Sequence, residues 1–175
     1  VIGNSLPRYN YNFGISADWY GIDFSVLFQG IGKQNWYPGA ETSMFWGPYS
    51  RPYASFIPSD FMSQVWSEEN TNAYFPRPRG YVALGSNREL AVVNTKYLQN
   101  LAYCRLKNLS IGYTLPDKWL SKIGFEKIRV YFSGENLLTF TKLHSDYIDP
   151  EQASASNSWK TSKSDANIYP WAKTY

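Results

Sequence analysis

From Tyr9 the odd positions read Tyr9, Tyr11, Phe13, Ile15, Ala17 and Trp19, while the even positions read Asn10, Asn12, Gly14, Ser16 and Asp18. Successive side chains of extended backbone point to opposite faces, so strict alternation predicts a strand apolar on one side only. After Tyr20-Gly21 the pattern resumes on the other parity, with Ile22, Phe24, Val26 and Phe28 against Asp23, Ser25, Leu27 and Gln29. Two such runs with so short a link predict a β-hairpin, its strands at about 8–18 and 21–30. A third run, about 102–115, sets Leu109, Ile111, Tyr113 and Leu115 against Asn108, Ser110, Gly112 and Thr114. Pro116 stops it, since proline cannot donate to a ladder. A fourth, about 127–140, sets Ile128, Val130 and Phe132 against Arg129, Tyr131, Ser133 and Glu135. Residues 169–175 read as the start of a last strand.

The intervals lack this period. The long loop 31–100 holds Pro38, Pro48, Pro52, Pro58, Pro76 and Pro78. A loop of that length in a compact domain is usually functional. Within it a short helix is expected over Ser59–Ser67, with Ser59 or Asp60 as N-cap. Asp117–Gly124 reads as a helical turn, with Trp119, Leu120 and Ile123 at helical spacing. A second long loop, 141–168, is rich in Ser, Asp and Lys. Connections therefore alternate between short and long: a tight turn, about 70 residues, about a dozen, then nearly 30, the order in which outer-membrane barrels place periplasmic turns and outer loops. The fold class expected is all-β: an antiparallel transmembrane barrel segment with long outer loops.

Composition agrees. Aromatic residues make up 18% of the chain, with 15 Tyr, 10 Phe and 7 Trp, a bias suited to sheets and membrane interfaces. Hydrophobic residues at 43% exclude a charge-rich disordered tail. The net charge of +3 comes from dispersed residues, without the basic stripe of a nucleic-acid binder. No apolar run is long enough for a transmembrane helix, though alternating barrel strands evade that test. The single Cys104 excludes an internal disulfide. The chain opens on Val1-Ile2-Gly3 and shows no signal peptide, so it is expected to be a piece of a longer protein.

One detail does not fit. Arg105 and Lys107 share the parity of the apolar face of the third strand. A charge facing lipid costs about 2–4 kcal/mol at the midplane and about 0–1 near the interface. Two solutions stand: Lys107 snorkels to the outer headgroups, or a bulge near Lys107-Asn108 reverses the parity.

Catalytic chemistry finds no constellation, and no metal site or cofactor is expected. The one histidine, His144, sits in a Ser- and Asp-rich loop with nothing at ligand spacing and reads as an exposed loop residue. Asp146, Asp149 and Glu151 lack the alternation and glycine of a calcium loop. Cys104 beside Arg105 reads as a small strand residue. Trp36, Tyr37, Trp46, Tyr49 and Arg51, with Phe45 and Tyr53 beside them, are candidate ligand or partner contacts, since aromatic faces beside polar groups stack on sugars or grip peptides. The alternative is that these rings pack the loop against itself. Glu69 and Asn70 are expected to cap turns, and Arg77 and Arg79 to pair with acids. By parity Asp23, Gln29, Arg129 and Glu135 share the polar face, expected to line a lumen, either along a transport path or as interstrand ladders.

Four segments in order carry a family resemblance. RLKNLSIGYTLP (Arg105–Pro116) and IRVYFSGENLLTFT (Ile128–Thr141), with its Asn-Leu-x-Thr, resemble the near-terminal strands of the SusC/RagA transporters. Asp149-Pro150-Glu151 resembles that family's downstream Asp-Pro-Glu. WSEENTNAYFPRP (Trp66–Pro78) is similar to its Trp-x-x-Glu-Asn-x-x-Ala-x-x-Pro segment, and the Tyr9–Gln29 hairpin also fits. The resemblance implies the C-terminal portion of a barrel of about 22 strands, in a TonB-dependent nutrient importer of the bacterial outer membrane. It implies uptake of oligosaccharides or peptides with a SusD-like surface lipoprotein as lid, and coupling to TonB through an N-terminal region that this chain lacks. The remaining partners would be the rest of the barrel and outer-membrane lipids. A siderophore or cobalamin receptor and a soluble β-rich carbohydrate-binding module are the alternatives. Four strands alone would leave two open edges, costly in lipid.

Overall fold

The computed structural model describes residues 2–40, 42–50, 57–85, 88–121, 124–156 and 171–175. Its strands are β1 (Asn10–Trp19), β2 (Ile22–Ile31), β3 (Asn35–Trp36), β4 (Gln99–Asn100), β5 (Tyr103–Thr114) and β6 (Arg129–Thr141). Three short helices are α1 (Ser43–Trp46), α2 (Asp117–Leu120) and α3 (Pro150–Ser156). The chain divides into two compact units, one holding residues 8–32, 102–141 and 171–175, the other residues 1–7, 33–101 and 142–170.

The first unit is an antiparallel sheet in the order β1-β2-β5-β6. It is the antiparallel architecture expected, but among the described residues the sheet is open and does not close into a barrel. The β1–β2 turn is Tyr20-Gly21, both with positive φ (46° and 83°), as a two-residue hairpin turn requires. The register preserves the alternation across all four strands. Ala17, Phe24, Ile111 and Phe132 form one apolar row. On the opposite face Ser16, Ser25, Ser110 and Ser133 form a row of four hydroxyls, with Ser16 Oγ 3.4 Å from Ser25 Oγ.

The apolar face lies open. Phe13 is 49% exposed, Ile15 57%, Val130 63% and Phe140 61%. A soluble sandwich would bury these side chains against a second sheet.

The structure resolves the misfit at Arg105 and Lys107 in favour of the bulge. Leu27 pairs with Asn108 but Phe28 pairs with Leu106, so Lys107 is the extra residue and the parity reverses there. Leu106 thereby joins the apolar face. Arg105 crosses to the polar face, opposite Gln29 and Thr139, where its Nε donates to Thr139 Oγ1 at 3.0 Å. Strand β6 bulges at the same height: the partners step from Leu138 to Glu135, and Asn136 takes φ 54°.

Tight approaches fix the sheet near Gly30. Tyr11 lies over this glycine, and its hydroxyl donates to the Tyr103 carbonyl at 2.9 Å. A Cβ at position 30 would strike both groups.

Three expectations need amending. The helix anticipated over Ser59–Ser67 is a single 3-10 turn, Phe61–Gln64, entered at Asp60 without a side-chain cap bond. The helical turn after Pro116 stops at Leu120, and Ile123 lies outside the described residues. Of the last strand, residues 169 and 170 lie outside the described residues. Trp171–Tyr175 makes one bridge, in which Thr174 and Glu135 exchange backbone bonds of 2.9 and 3.2 Å. Nearby, Asn136 Nδ2 donates to the Ala172 carbonyl at 3.3 Å, and Lys107 sits 5.0 Å from the centre of the Trp171 ring.

The second unit gathers the two long loops into a structure with its own interior, so loop 31–100 is not structureless. The two-stranded ribbon β3-β4 closes its base through Asn35–Asn100 and Trp36–Gln99. Phe45, Trp46, Tyr49, Phe61, Phe75 and Tyr97 are all buried. Phe75 is the hub: it stacks on Phe61 at 4.8 Å and on Tyr97 at 5.9 Å, and it meets Phe45, Trp46 and Tyr74 edge-on. Such ring pairs add about 0.5–1.5 kcal/mol each beyond the area they bury.

Candidate functional site

The polar face of the sheet collects all four residues that parity assigned to it. Asp23 and Arg129 meet across the intervening strand: Arg129 Nε donates to Asp23 Oδ1 at 2.9 Å and its terminal nitrogen reaches Oδ2 at 2.5 Å. They meet because β5 presents Gly112 between them, and any Cβ there would occupy the space of the bridge. The guanidinium also lies 4.9 Å from the Tyr131 ring centre. Both side chains remain about a third exposed (31% for Asp23, 38% for Arg129), so the pair adds shape and charge to this face more than stability. Gln29 and Glu135 are exposed on the same face, and the structure does not bring them into the Asp23–Arg129 pair. Nothing in the sequence pattern linked Asp23 to Arg129. The signal available was a glycine at the matching position of the strand between them.

Of the two readings of the aromatic loop residues, ligand contact and self-packing of the loop, burial fits the second for three of them. Trp36 is 2% exposed and Trp46 and Tyr49 are 0% exposed, so these rings are interior and present no face to a ligand. A unit built from two irregular loops has no sheet or helix face to bury, and its largest side chains supply the core instead. Trp46 Nε1 donates to the Pro38 carbonyl at 3.2 Å, and the Tyr49 hydroxyl donates to the Pro76 carbonyl. Tyr37 is half-buried; its hydroxyl donates to the Leu90 carbonyl at 2.8 Å and accepts from Asn94 Nδ2 at 3.0 Å. Burial pushes the Tyr37 and Tyr97 phenols up to about 12 and raises those of Tyr49 and Tyr74, so all four are neutral donors at physiological pH. Arg51 and Tyr53 lie outside the described residues.

His144 is an exposed loop residue, as expected, but sequence reasoning missed its contacts. Its ring stacks on Tyr74 with centroids 3.8 Å apart, and its Nε2 lies 2.7 Å from Gln64 Oε1. Its backbone N–H donates to Gln99 Oε1 at 3.2 Å, and Gln99 Nε2 in turn donates to the Tyr74 hydroxyl at 3.1 Å. One residue thus clasps the second long loop to the first. Burial lowers its pKa from the ordinary imidazole value, and nearby Asp146 opposes this more weakly. A folded-state value below the unfolded one means that the folded unit binds fewer protons. The stability this histidine confers is therefore present above about pH 6.5 and is lost as pH falls through the depressed value. The protection of residues 142–150 against hydrogen exchange, taken relative to the intrinsic rate at each pH, is expected to fall on acidification, and a His144→Phe variant to lose that pH dependence. An unchanged pH profile in the variant would show that another group titrates.

Beside the clasp lies a recess with Phe45, Phe61 and Phe75 in its floor and Asp60, His144 and Asp146 around it. Its open space is about 40 Å³. Other motif residues are structural. Arg79 pairs with Glu89 at 2.8 Å, and Arg77 lies 5.7 Å from the Trp66 ring centre. Asn70 Nδ2 donates to the Ser63 carbonyl at 2.8 Å. Asp149 Oδ1 accepts from the Glu151 N–H at 2.9 Å, holding the first turn of α3. Among the described residues no group of His, Cys, Asp or Glu is arranged to hold a metal ion, and no helix is long and apolar enough to cross a membrane.

No protein-family model matches the chain. Among curated proteins, TonB-dependent receptor P3 of Formosa agariphila is 34% identical over 153 residues, covering 86% of this chain and 13% of that protein. TonB-dependent receptor P26 of the same organism is 28% identical over 153 residues, covering 86% and 14%. Among solved structures, the RagAB peptide importer in its open-open state superposes with a TM-score of 0.53 at 25% identity, over 84% of this chain and 15% of that one. The same importer in its closed-closed state gives a TM-score of 0.55 at 24% identity, over 86% and 15%. The chain therefore spans 13–15% of the length of these relatives, which are transport proteins and not enzymes.

Proposed function

We propose that this homologue of TonB-dependent receptors is a wall segment, with attached outer loops, of a barrel that imports nutrients across the bacterial outer membrane. The observation that carries the reading is the open apolar face of the sheet, backed by a polar face of serines, asparagines and the Asp23–Arg129 pair. A sheet with one greasy and one wet side, joined by alternately short and long connections, matches a barrel wall between lipid and lumen. The remaining strands would close its two edges, since unpaired backbone in hydrocarbon costs several kcal/mol per group. Peptides are the favoured cargo, because the superposable solved structures are of a peptide importer. A SusD-like surface lipoprotein would act as lid over the loop unit, and TonB would supply energy through another part of the protein.

The test compares the two faces at one height. Ile15→Arg, at the middle of β1, places a charge towards lipid and is expected to destabilise the folded full-length protein in membranes by about 2–4 kcal/mol. Ser16→Arg, one residue on, places it towards the lumen and is expected to leave folding nearly unchanged. Yield of folded, heat-modifiable protein in the outer-membrane fraction reads both. Equal tolerance of the two, or the reverse order, would remove the basis for a membrane wall.

A further inference from the structure

The recess of the loop unit combines features that the import reading does not use. Its floor is aromatic, from Phe45, Phe61 and Phe75. Two carboxylates, Asp60 and Asp146, stand at it, and no arginine or lysine among the described residues pairs with either. The other ionisable residues lining it are Tyr147 and His144, and the His144 ring is committed to Tyr74 and Gln64. Two unneutralised carboxylates over an apolar floor suit a cation carried on an apolar stem, which pairs its charge at the rim and lays its methylenes on the rings. Size narrows the choice further. A water needs roughly 10–15 Å³ of such space, so about 40 Å³ admits a group of three or four heavy atoms. That fits a guanidinium or the end of a lysine, and it excludes a whole sugar ring.

We propose that this recess is a side-chain subsite of the importer, taking an arginine or lysine of a peptide cargo. The proposal rests on the peptide-import reading above and adds to it a preference for basic peptides and the residues that confer it. Asp60 and Asp146 provide the charge, while the rings under them exclude water and hold the stem.

The experiment uses the full-length receptor that carries this chain, purified in detergent, and two capped pentapeptides, Ala-Ala-Arg-Ala-Ala and its citrulline counterpart. Citrulline keeps the shape of arginine and removes the charge. Calorimetry is expected to show the arginine peptide binding roughly tenfold tighter, the size of a charge-assisted hydrogen bond kept or lost. The Asp60→Asn/Asp146→Asn double variant is expected to bind both peptides alike. Both aspartates are exposed, so the variant should melt as the parent does. Equal binding of the two peptides to the parent, discrimination that survives in the double variant, or no binding of the arginine peptide would each overturn the subsite. A receptor that passes the Ile15 and Ser16 comparison and still fails to discriminate loses the subsite and keeps the wall.

Discussion

Gly30→Val is expected to abolish folded protein in the outer-membrane fraction, whereas Gly14→Ala one strand away is expected to fold. At position 30 a Cβ meets the Tyr103 carbonyl oxygen, which belongs to the paired backbone of β5, and the Tyr11 hydroxyl that donates to that oxygen. The Tyr11 ring could swing away, but the carbonyl oxygen is backbone, so relief requires β2 and β5 to separate. Overpacking of this kind costs about 1–3 kcal/mol even where side chains move aside. Loss of the Tyr11–Tyr103 bond adds about 1 kcal/mol, and each ladder bond broken by the separation adds to that. At Gly14 the nearest atoms to a Cβ are the Val26 carbonyl at 3.2 Å and a Leu27 methyl at 3.5 Å, a fit that small shifts relieve. Comparable recovery of the two variants would mean that the strands do not approach so closely at Gly30.

Phe75→Ala is expected to unfold the loop unit and spare the sheet. Phe75 is 1% exposed and touches rings from each long loop, including His144 at 5.9 Å. Truncating a buried phenylalanine costs about 3–5 kcal/mol, through lost burial and the cavity left behind. A unit without long helices or strands has little else to hold it, since its backbone bonds are mostly local turns. Hydrogen exchange on the full-length protein should show lost protection over residues 61–75 and 97–101, with the ladders of β2, β5 and β6 unchanged. Protection lost equally from both regions would show that the two units share one cooperative core.

The four long strands were legible because each buries or exposes one side only, and period-2 alternation reports that directly. The spans read from it, about 8–18, 21–30, 102–115 and 127–140, sit beside the observed Asn10–Trp19, Ile22–Ile31, Tyr103–Thr114 and Arg129–Thr141. Alternation could not decide the fate of Arg105, because a charged residue on the wrong parity fits snorkelling and slippage equally well. Only the pairing of Phe28 with Leu106 separates them. The loops were opaque for another reason. Phe45, Phe75, Tyr97 and His144 are drawn together from across about a hundred positions, and no local period encodes such contacts. Residue type left two readings open as well. Trp36, Trp46 and Tyr49 have the chemistry of a ligand platform, and the same chemistry makes the best filler for an irregular core. Asp23, Gln29, Arg129 and Glu135 needed parity alone, and the structure sets all four on one face. That two of them form a bridge depended on a glycine in a third strand.

The adjoining bulges at Lys107 and Asn136 differ in kind: β5 reverses its parity across one extra residue, whereas β6 takes in two, Asn136 and Leu137, and keeps its own. Removing Lys107 alone would give β5 plain alternation from Asn108 to Leu106 and step-for-step pairing with β2, with Arg105 still on the polar face, but would leave two unmatched residues in β6 opposite it. Step would return to β6 only with the loss of both Asn136 and Leu137, since β2 runs straight past the same height. Insertions and deletions in this stretch are therefore coupled, and length changes in descendants of this chain should fall in the connections or arrive in both strands together.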